Sequence, residues 1–489
     1  MNAAGRLAEL RLRRDFLAAQ EVLLVLREPP AAPPPAPGQP PLVAADPAEG
    51  PEVLLAVWAD GSVVALNGHV DLGTGIRTAL AQIVAEELDV AFERVEMVLG
   101  DSARAPNQGP TIASASTQVH AVPLRHAAAQ ARAFLVERAA SQLGLAACDL
   151  AVDEGLVHDR AGTAALSYGE LLTGQRFELR LDLGAATKNP ADYRLVGREQ
   201  PRVDIPAKAF GEAVFVHDLR LPGMLHGRVV RPPYASADHG EFIGNTLESV
   251  DEASVAHIAG LRQVVVRRDF VGIVAEREDE AERAAAELRV HWKPWPGLPP
   301  LADLEQALRA QPATERRLVD EGEVDAALAG ADQTLAARYV WPYQLHASIG
   351  PSCALAQWHG EQARPHALTV WAATQYPHAL RADLALLMGV AESAVEVIRL
   401  EGAGCYGRNC ADDVAADAAL LARAAGAPVR VQLTREQEHL WEPKGAAQLM
   451  ELRGGLDEDG SIAAYDFSSC YPSNAARTLA LLLTRTIEP

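Results

Sequence analysis

At 489 residues, 49% of them apolar and 22% charged, the chain is long enough for about three domains and too apolar for wholesale disorder. Its formal net charge of −21 repels polyphosphate and disfavours a nucleic-acid partner. Five scattered cysteines with no CxxC pair indicate neither an iron–sulfur cluster, a structural zinc site nor a disulfide framework, and no run reaches the ~18 apolar residues of a membrane span.

Residues 1–50 read as a leader-like segment followed by a linker. Arg13-Arg14-Asp15-Phe16-Leu17 ahead of Val22 to Leu26 is a twin-arginine pattern of the export type, although Gln20 and Glu21 interrupt its apolar part. A short amphipathic helix is the equal alternative; export implies the periplasm, and otherwise the chain is cytoplasmic. Eight prolines within residues 29–41 favour an extended linker.

From Pro51 the pattern is that of folded structure. Val53 to Trp58 and Val63 to Leu66 flank Asp60-Gly61, a hairpin signature. Leu80, Ile83, Val84 and Leu88 mark a helix, Val95 to Leu99 a strand, and Pro123 to Gly144 bound a second helix. The segment Gly100 to Gln118, rich in Gly, Pro, Ser, Thr and Asn, reads as a long functional loop. Short β-rich runs from Ala213 to Val274, then a helix near Asp279 to Leu288, predict a separate α+β unit over 201–300. Beyond it, Val395 to Leu400 and Val429 to Leu433 are expected strands. Asp413 to Ala425 is an expected helix ended by Gly426, and Asp459-Gly460 a late hairpin turn.

Three loops carry candidate chemistry. Gly402-Ala403-Gly404-Cys405-Tyr406-Gly407 follows a strand and precedes a helix, the context of a dinucleotide-binding GxGxxG, yet Arg408, Asn409 and Cys410 intervene and no acid ends a second strand about twenty residues on, so taken alone a plain strand-to-helix turn is the better reading. Leu72-Gly73-Thr74-Gly75 offers backbone N–H groups and a hydroxyl to an anion, or is simply a tight turn. Gln375, after Leu368 to Ala372, either donates its side-chain N–H to an oxyanion or metal-oxo group or is a solvated loop glutamine, the commoner case. The histidines show no HExxH spacing, His69 and His346 read as surface or core residues, and no GxSxG elbow exists.

Taken together and in this order, the loops resemble a known family. Gly68 to Thr78 and Pro106 to Thr117 resemble two loops of the molybdenum-binding region of the xanthine oxidase family. Pro201 to Lys208, continuing to His226-Gly227-Arg228-Val229-Val230-Arg231-Pro232-Pro233, resembles its α/β hammerhead domain. Trp371 to Gln375 and Gly404 to Asn409 are similar to its TQ and GGFGGK loops. The order is that of the permuted branch containing nicotinate dehydrogenase and isoquinoline 1-oxidoreductase. The resemblance implies an α+β fold in which molybdopterin-binding segments (51–200 and 301–489) flank a hammerhead domain (201–300).

It also implies a molybdenum hydroxylase. Such an enzyme adds a water-derived oxygen to an N-heteroaromatic ring or an aldehyde, using molybdopterin cytosine dinucleotide whose dithiolene, not side chains, holds the metal. Carried over by position, Gln375 would bond the molybdenum's oxo ligand, and Tyr406 and Gly407 would stand beside the metal. Gly73, Thr74 and Gly75 would hold the dinucleotide phosphates, and Ile112, Ala113 and Ser114 would line the other side. No GEPP-like loop with the family's general-base glutamate occurs, so no catalytic residue is expected here, and this chain alone should be nearly inert. The implied partners are a chain carrying the C-terminal half of the molybdenum domain, a small [2Fe–2S] subunit and a c-type cytochrome acceptor. Two further readings stand beside it. One is a non-catalytic remnant or assembly protein, favoured if Leu479 to Leu483 has nothing to pack on. The other is a NAD-binding Rossmann dehydrogenase built on Gly402 to Gly407, expected to show a parallel doubly wound sheet.

Overall fold

A computed structural model describes residues 10, 12–30, 49–233, 243–295, 297, 300–472 and 478–487. Most of the proline-rich stretch therefore lies outside the described residues.

The first sheet runs in the order 95–99, 63–67, 52–58, 22–27, 176–180. Its hairpin across Asp60-Gly61, the helix Ile76–Leu88 and the strand Val95–Leu99 follow the sequence reading. The helix Ala121–Leu143 ends on left-handed Gly144 as expected, and a π-helical turn, Ser116–His120, precedes it.

Residues 13–27 depart from the leader-like reading. Val22–Arg27 is an interior strand, antiparallel to Glu52–Trp58 and parallel to Arg176–Arg180. Leu23 and Val25 enter the core beneath the helices Ile76–Leu88 and Ala121–Leu143, while Val22, Leu24 and Leu26 enter a second core around Phe16 and Trp58. Five successive apolar residues suit a strand covered on both faces, so the run is core and not free apolar segment. Arg13 is buried too, with its guanidinium 3.5 Å from the Glu49 carboxylate.

The 201–300 stretch is not a separate unit. Leu225–Val230 and Phe270–Ala275 join a seven-stranded sheet ordered 261–267, 270–275, 225–230, 429–432, 353–358, 368–372, 395–399. The junction is parallel pairing of Leu225 with Val429. Arg228 and Arg430, one on each side of that junction, share the Glu278 carboxylate at 2.9 and 3.0 Å and clamp the helix Glu278–Glu287 over it. Ala213 to Val216 forms only an isolated bridge between Phe215 and Glu401.

The sheet is mixed: four of its neighbouring pairs are antiparallel and two parallel. It is thus no doubly wound parallel sheet, and the dehydrogenase reading of Gly402 to Gly407 falls. The helix Leu479–Leu483, far from lacking a neighbour, buries Ala480, Leu481 and Leu483 against the helices Pro377–Met388 and Ala411–Ala425. Its first N–H groups donate to buried carboxylates, Thr478 to Asp383 and Leu479 to Asp413.

A three-stranded antiparallel sheet, 333–341, 448–456 and 462–470, projects from this half. The two large sheets meet where Ser102 bonds both backbone groups of Val397. That seam brings the loops of both halves to one place.

Candidate functional site

The centre is Ala373 to Tyr376, just beyond the strand Leu368–Ala372. The Thr111 N–H donates to the Gln375 carbonyl at 3.0 Å, and Gln375 Nε2 donates to the Thr111 carbonyl at 3.2 Å. This reciprocal pair ties the TQ stretch to the long 100–118 loop. Thr111 Oγ1 in turn accepts from the Val70 N–H, and Gln108 Oε1 from the Gly68 N–H, which adds the Gly68 to Gly75 loop. A Cβ on Gly68 would lie 2.1 Å from the Pro106 carbonyl oxygen, so only glycine permits the approach.

On the other flank, a Cβ on Gly402 would meet that of Ala373 at 2.7 Å. The Gly402 to Gly407 loop is braced from behind by residues 346–350. The Gly350 N–H donates to the Ala403 carbonyl, and the His346 ring fills the space a Gly407 side chain would need, 2.1 Å from a virtual Cβ. His346 Nδ1 lies 3.0 Å from the Pro443 carbonyl, which can only accept, so Nδ1 carries the proton.

Four loops drawn from between residues 68 and 407 therefore share one rim. Gly73, Thr74, Ile112, Ala113, Ser114, Tyr406 and Gly407 are exposed on it, Gln375 is half-buried and Gly75 is buried.

The rim is strained. Ala113 and Ser114 both have left-handed φ, 54° and 55°, as the centre of a turn closed by the Ala115 N–H to the Ile112 carbonyl. Such a turn prefers Asn and Gly, and each L-residue there costs about 1–2 kcal/mol. Tyr406 (φ 51°) is left-handed as well, and so is Ala347 (φ 50°) in the bracing segment, so four of the nine such non-glycine residues among those described belong to the rim loops or to the segment behind them. Strain of this kind concentrates at functional sites.

Buried carboxylates hold the strain, and sequence reading passed over them. Asp71 accepts from the N–H groups of Gly73, Gly75 and Arg77 at 2.9, 3.2 and 3.1 Å. The two glycine N–H groups expected to meet phosphate are therefore already engaged, and Thr74 is the loop's exposed polar residue. The Asp-x-Gly spacing is an Asx-turn signal that could have disclosed this. Glu438 accepts from Ser352 N–H and Oγ–H and from the Cys410 N–H that starts the helix Ala411–Ala425. Glu442 accepts from the N–H groups of His346 and Ala347. Both glutamates sit at or beside the short helix Arg435–Trp441, where charge reads as a solvated face; no local signal marks them. Arg202 closes the first loop from outside, donating to the Gly73 carbonyl while paired with Asp204.

Beneath the rim, the His69 ring packs against His120 with centroids 4.1 Å apart and planes tilted by 39°, and its Nδ1 lies 2.7 Å from Ser116 Oγ. Burial, and secondarily His120, push the His69 pKa down to about 4. His378, buried near Arg381 and Arg13, is pushed down to about 3, chiefly by burial. Both imidazoles are neutral in the fold, whereas unfolded histidine titrates near 6.5. Folded-state values below the unfolded one mean that stability is lost as pH falls from about 6.5 towards 4, with a slope approaching 1.4 kcal/mol per pH unit for each ring. Urea denaturation between pH 6 and 5 should show His69→Asn losing about one proton's worth of that slope.

Two open depressions, of about 580 and 480 Å³, lie elsewhere: one lined by Asp332 and Asp457 to Asp459, the other by Gly244, Arg268 and Lys293 among others. The rim itself is an open face. Among the described residues no helix is long and apolar enough to cross a membrane.

Comparison with known proteins agrees with the site's composition. Residues 37–210 and 310–486 each match a molybdopterin cofactor-binding domain. The chain is 60% identical over 438 residues to a nicotinate dehydrogenase subunit of Pseudomonas putida, covering 89% of this chain and 36% of that protein. It is 28% identical over 472 residues to the beta subunit of isoquinoline 1-oxidoreductase of Brevundimonas diminuta, covering 85% of this chain and 58% of that one. It thus spans between a third and three-fifths of these relatives' length. Quinoline 2-oxidoreductase from Pseudomonas putida 86 overlaps 56% of the chain with a TM-score of 0.45 at 20% identity. With both halves of the seam matching cofactor-binding domains, the chain belongs to the molybdenum-binding subunits of the xanthine oxidase family.

Proposed function

We propose that the shared rim holds molybdopterin cytosine dinucleotide for an oxidoreductase that hydroxylates an N-heteroaromatic compound, with nicotinate first among candidates and isoquinoline or an aldehyde next. The observation that carries this reading is the reciprocal Thr111–Gln375 pair, which sets the strained 112–115 turn, the Gln375 amide and the Gly402 to Gly407 loop side by side. The donor set fits the group. Thr74, Ser114, Gln375 and Tyr406 are neutral hydrogen-bonding side chains on an open edge, and the nearby Asp71 carboxylate is saturated by three N–H groups.

When bound, the cofactor supplies the two-electron redox chemistry. This chain's residues position it. Gln375, with one amide hydrogen engaged by Thr111, has the other to offer a metal oxygen. Tyr406 and Gly407 would hold the metal end of the cofactor, Ile112 to Ser114 would line its opposite side, and the Thr74 hydroxyl would donate to a phosphate. That relatives are named as subunits supports a multi-subunit complex. Its other parts are inferred to be a small [2Fe–2S] subunit and a c-type cytochrome to take electrons, with the general-base glutamate outside residues 1–489.

The test is turnover of the co-expressed complex with nicotinate, isoquinoline and benzaldehyde in isotopically labelled water. Nicotinate should be oxidised fastest with label in the product. Gln375→Ala should lower kcat about 10- to 100-fold, the value of a strong hydrogen bond of about 1.5–3 kcal/mol. A complex that oxidises none of the three contradicts the reading.

A further inference from the structure

Buried arginines in this chain are paired. Arg13, Arg228, Arg381 and Arg430 are each 3–5% exposed, and every one has a carboxylate partner: Glu49 for Arg13 and Arg381, Glu278 for Arg228 and Arg430. A guanidinium taken out of water needs an opposite charge and hydrogen bonds to offset its lost hydration. Arg399 departs from that rule. Its Nε is sealed from solvent with no hydrogen-bond partner, and among the described residues its guanidinium enters no ion pair. Burial, the largest influence, draws its pKa down to about 10, with Glu401 and Asp71 acting in the opposite direction. Both acids are engaged elsewhere. Glu401 pairs with Lys208 at 2.6 Å, and the Asp71 carboxylate is taken by the three N–H groups of its own loop.

Arg399 also stands where the loops of the site begin. It ends the strand Val395–Arg399, opposite Ala372 of the parallel strand Leu368–Ala372. One strand leads on to Gln375 and the other to Gly402 to Gly407. The space beyond the carboxyl ends of parallel strands is where such sheets place ligands. Asp71 of the Gly68 to Gly75 loop and Cys405 of the Gly402 to Gly407 loop are both near enough to act on its charge. An unpaired cation thus sits at the root of three of the four loops, in a chain whose net charge of −21 otherwise repels anions.

We propose that Arg399 is the charge-recognising residue of the rim: its guanidinium binds a small oxyanion, either a phosphate of the cofactor or the carboxylate of an acidic substrate such as nicotinate. The proposal deepens the functional reading above and rests on it for the origin of the anion. Phosphate and carboxylate offer the same chemistry here, oxygens sharing negative charge that match the planar donor fork of arginine. Arg202 and Lys208, the other cations beside the Gly73 loop, are already neutralised by Asp204 and Glu401. Arg399 is the cation left to answer an incoming anion.

The experiment titrates inorganic pyrophosphate, and separately nicotinate, into the chain from a cofactor-deficient host, read by calorimetry and by melting temperature. Wild type should bind at least one of the two saturably and melt higher with it. Arg399→Met should bind that anion about tenfold or more weakly, the value of a charge-assisted hydrogen bond. Arg399→Lys, which keeps the charge without the fork, should fall between. Without added anion, Arg399→Met should melt no lower than wild type, because it removes an unpaired charge. Arg262→Gln, an equal charge change at an exposed pair with Glu276, should bind like wild type. The complex from a cofactor-competent host then identifies the anion. Loss of molybdenum and phosphorus from the Arg399→Met complex marks a cofactor phosphate. Normal loading, with KM raised for nicotinate and unchanged for benzaldehyde, marks a substrate carboxylate. A wild-type chain that binds neither anion saturably overturns the proposal, as does undiminished binding by folded Arg399→Met or a lower anion-free melting temperature of that variant. Anion binding that depends on Arg399, in a wild-type complex without molybdenum, would sink the functional reading and leave the anion site standing.

Discussion

Replacing Arg231 with methionine should destabilise the folded chain by about 3–5 kcal/mol at pH 7. Arg231 follows the strand Leu225–Val230, and its Nη2 lies 2.6 Å from Asp417 Oδ2 within the helix Ala411–Ala425, the side chains being 4% and 0% exposed. Burial raises the Asp417 carboxyl to about 6, above its ordinary value, even with Arg231 beside it. Without the arginine that carboxylate is buried and unpaired. A raised folded-state pKa means the fold gains stability as pH falls through it, so the deficit of Arg231→Met should shrink between pH 7 and 5.5. Arg231→Met/Asp417→Leu, removing both charges, should recover most of the loss. Urea denaturation of the three proteins measures this. A single-variant loss below ~1 kcal/mol would show that the pair is not sealed from water.

Asp71→Ala should have the second largest effect, about 3 kcal/mol, because three N–H donors lose one acceptor at about 1–3 kcal/mol for each left unsatisfied. The loss should be local. Hydrogen exchange at Gly73, Gly75 and Arg77 should rise towards unprotected rates while the helix Ile76–Leu88 beyond its first turn stays protected. Asp71→Asn should fall between, since its amide oxygen can still serve Gly73 and Gly75 while its NH₂ faces the Arg77 N–H. Molybdenum retained by the complex should drop in the same order. Unchanged exchange in Asp71→Ala would mean that the loop is held by Arg202 and packing alone.

Local signals were legible where they act locally. Asp60-Gly61, the 3.6-residue stripe through Leu80 and Leu88, and Gly144 and Gly426 as helix stops all correspond to structure. Val22 to Leu26 was misread because a strand covered on both faces and an apolar leader are both unbroken apolar runs. Only pairing with residues 52–58 and 176–180 separates them. The merging of Leu225–Val230 into the sheet of residues 353–432 is likewise non-local, fixed by packing and by Glu278 between two arginines.

At the site, the Gly-, Ser- and Thr-rich loops announced themselves by composition. What composition could not disclose is which donors remain free. Asp71 takes the Gly73 and Gly75 N–H groups, leaving Thr74, and Glu438 and Glu442 hold neighbouring backbone from positions that look like solvated charge. The acids that shape the rim lie behind it.

The central claim is that these four loops form one cradle for a molybdopterin. The most direct measurement is molybdenum and pterin phosphorus per chain in the co-purified complex from a cofactor-competent host, for wild type and Asp71→Ala. One molybdenum per chain in the wild type, and a several-fold lower content in a folded Asp71→Ala complex, is the predicted result. A folded wild-type complex without molybdenum, or equal loading of both proteins, would contradict it.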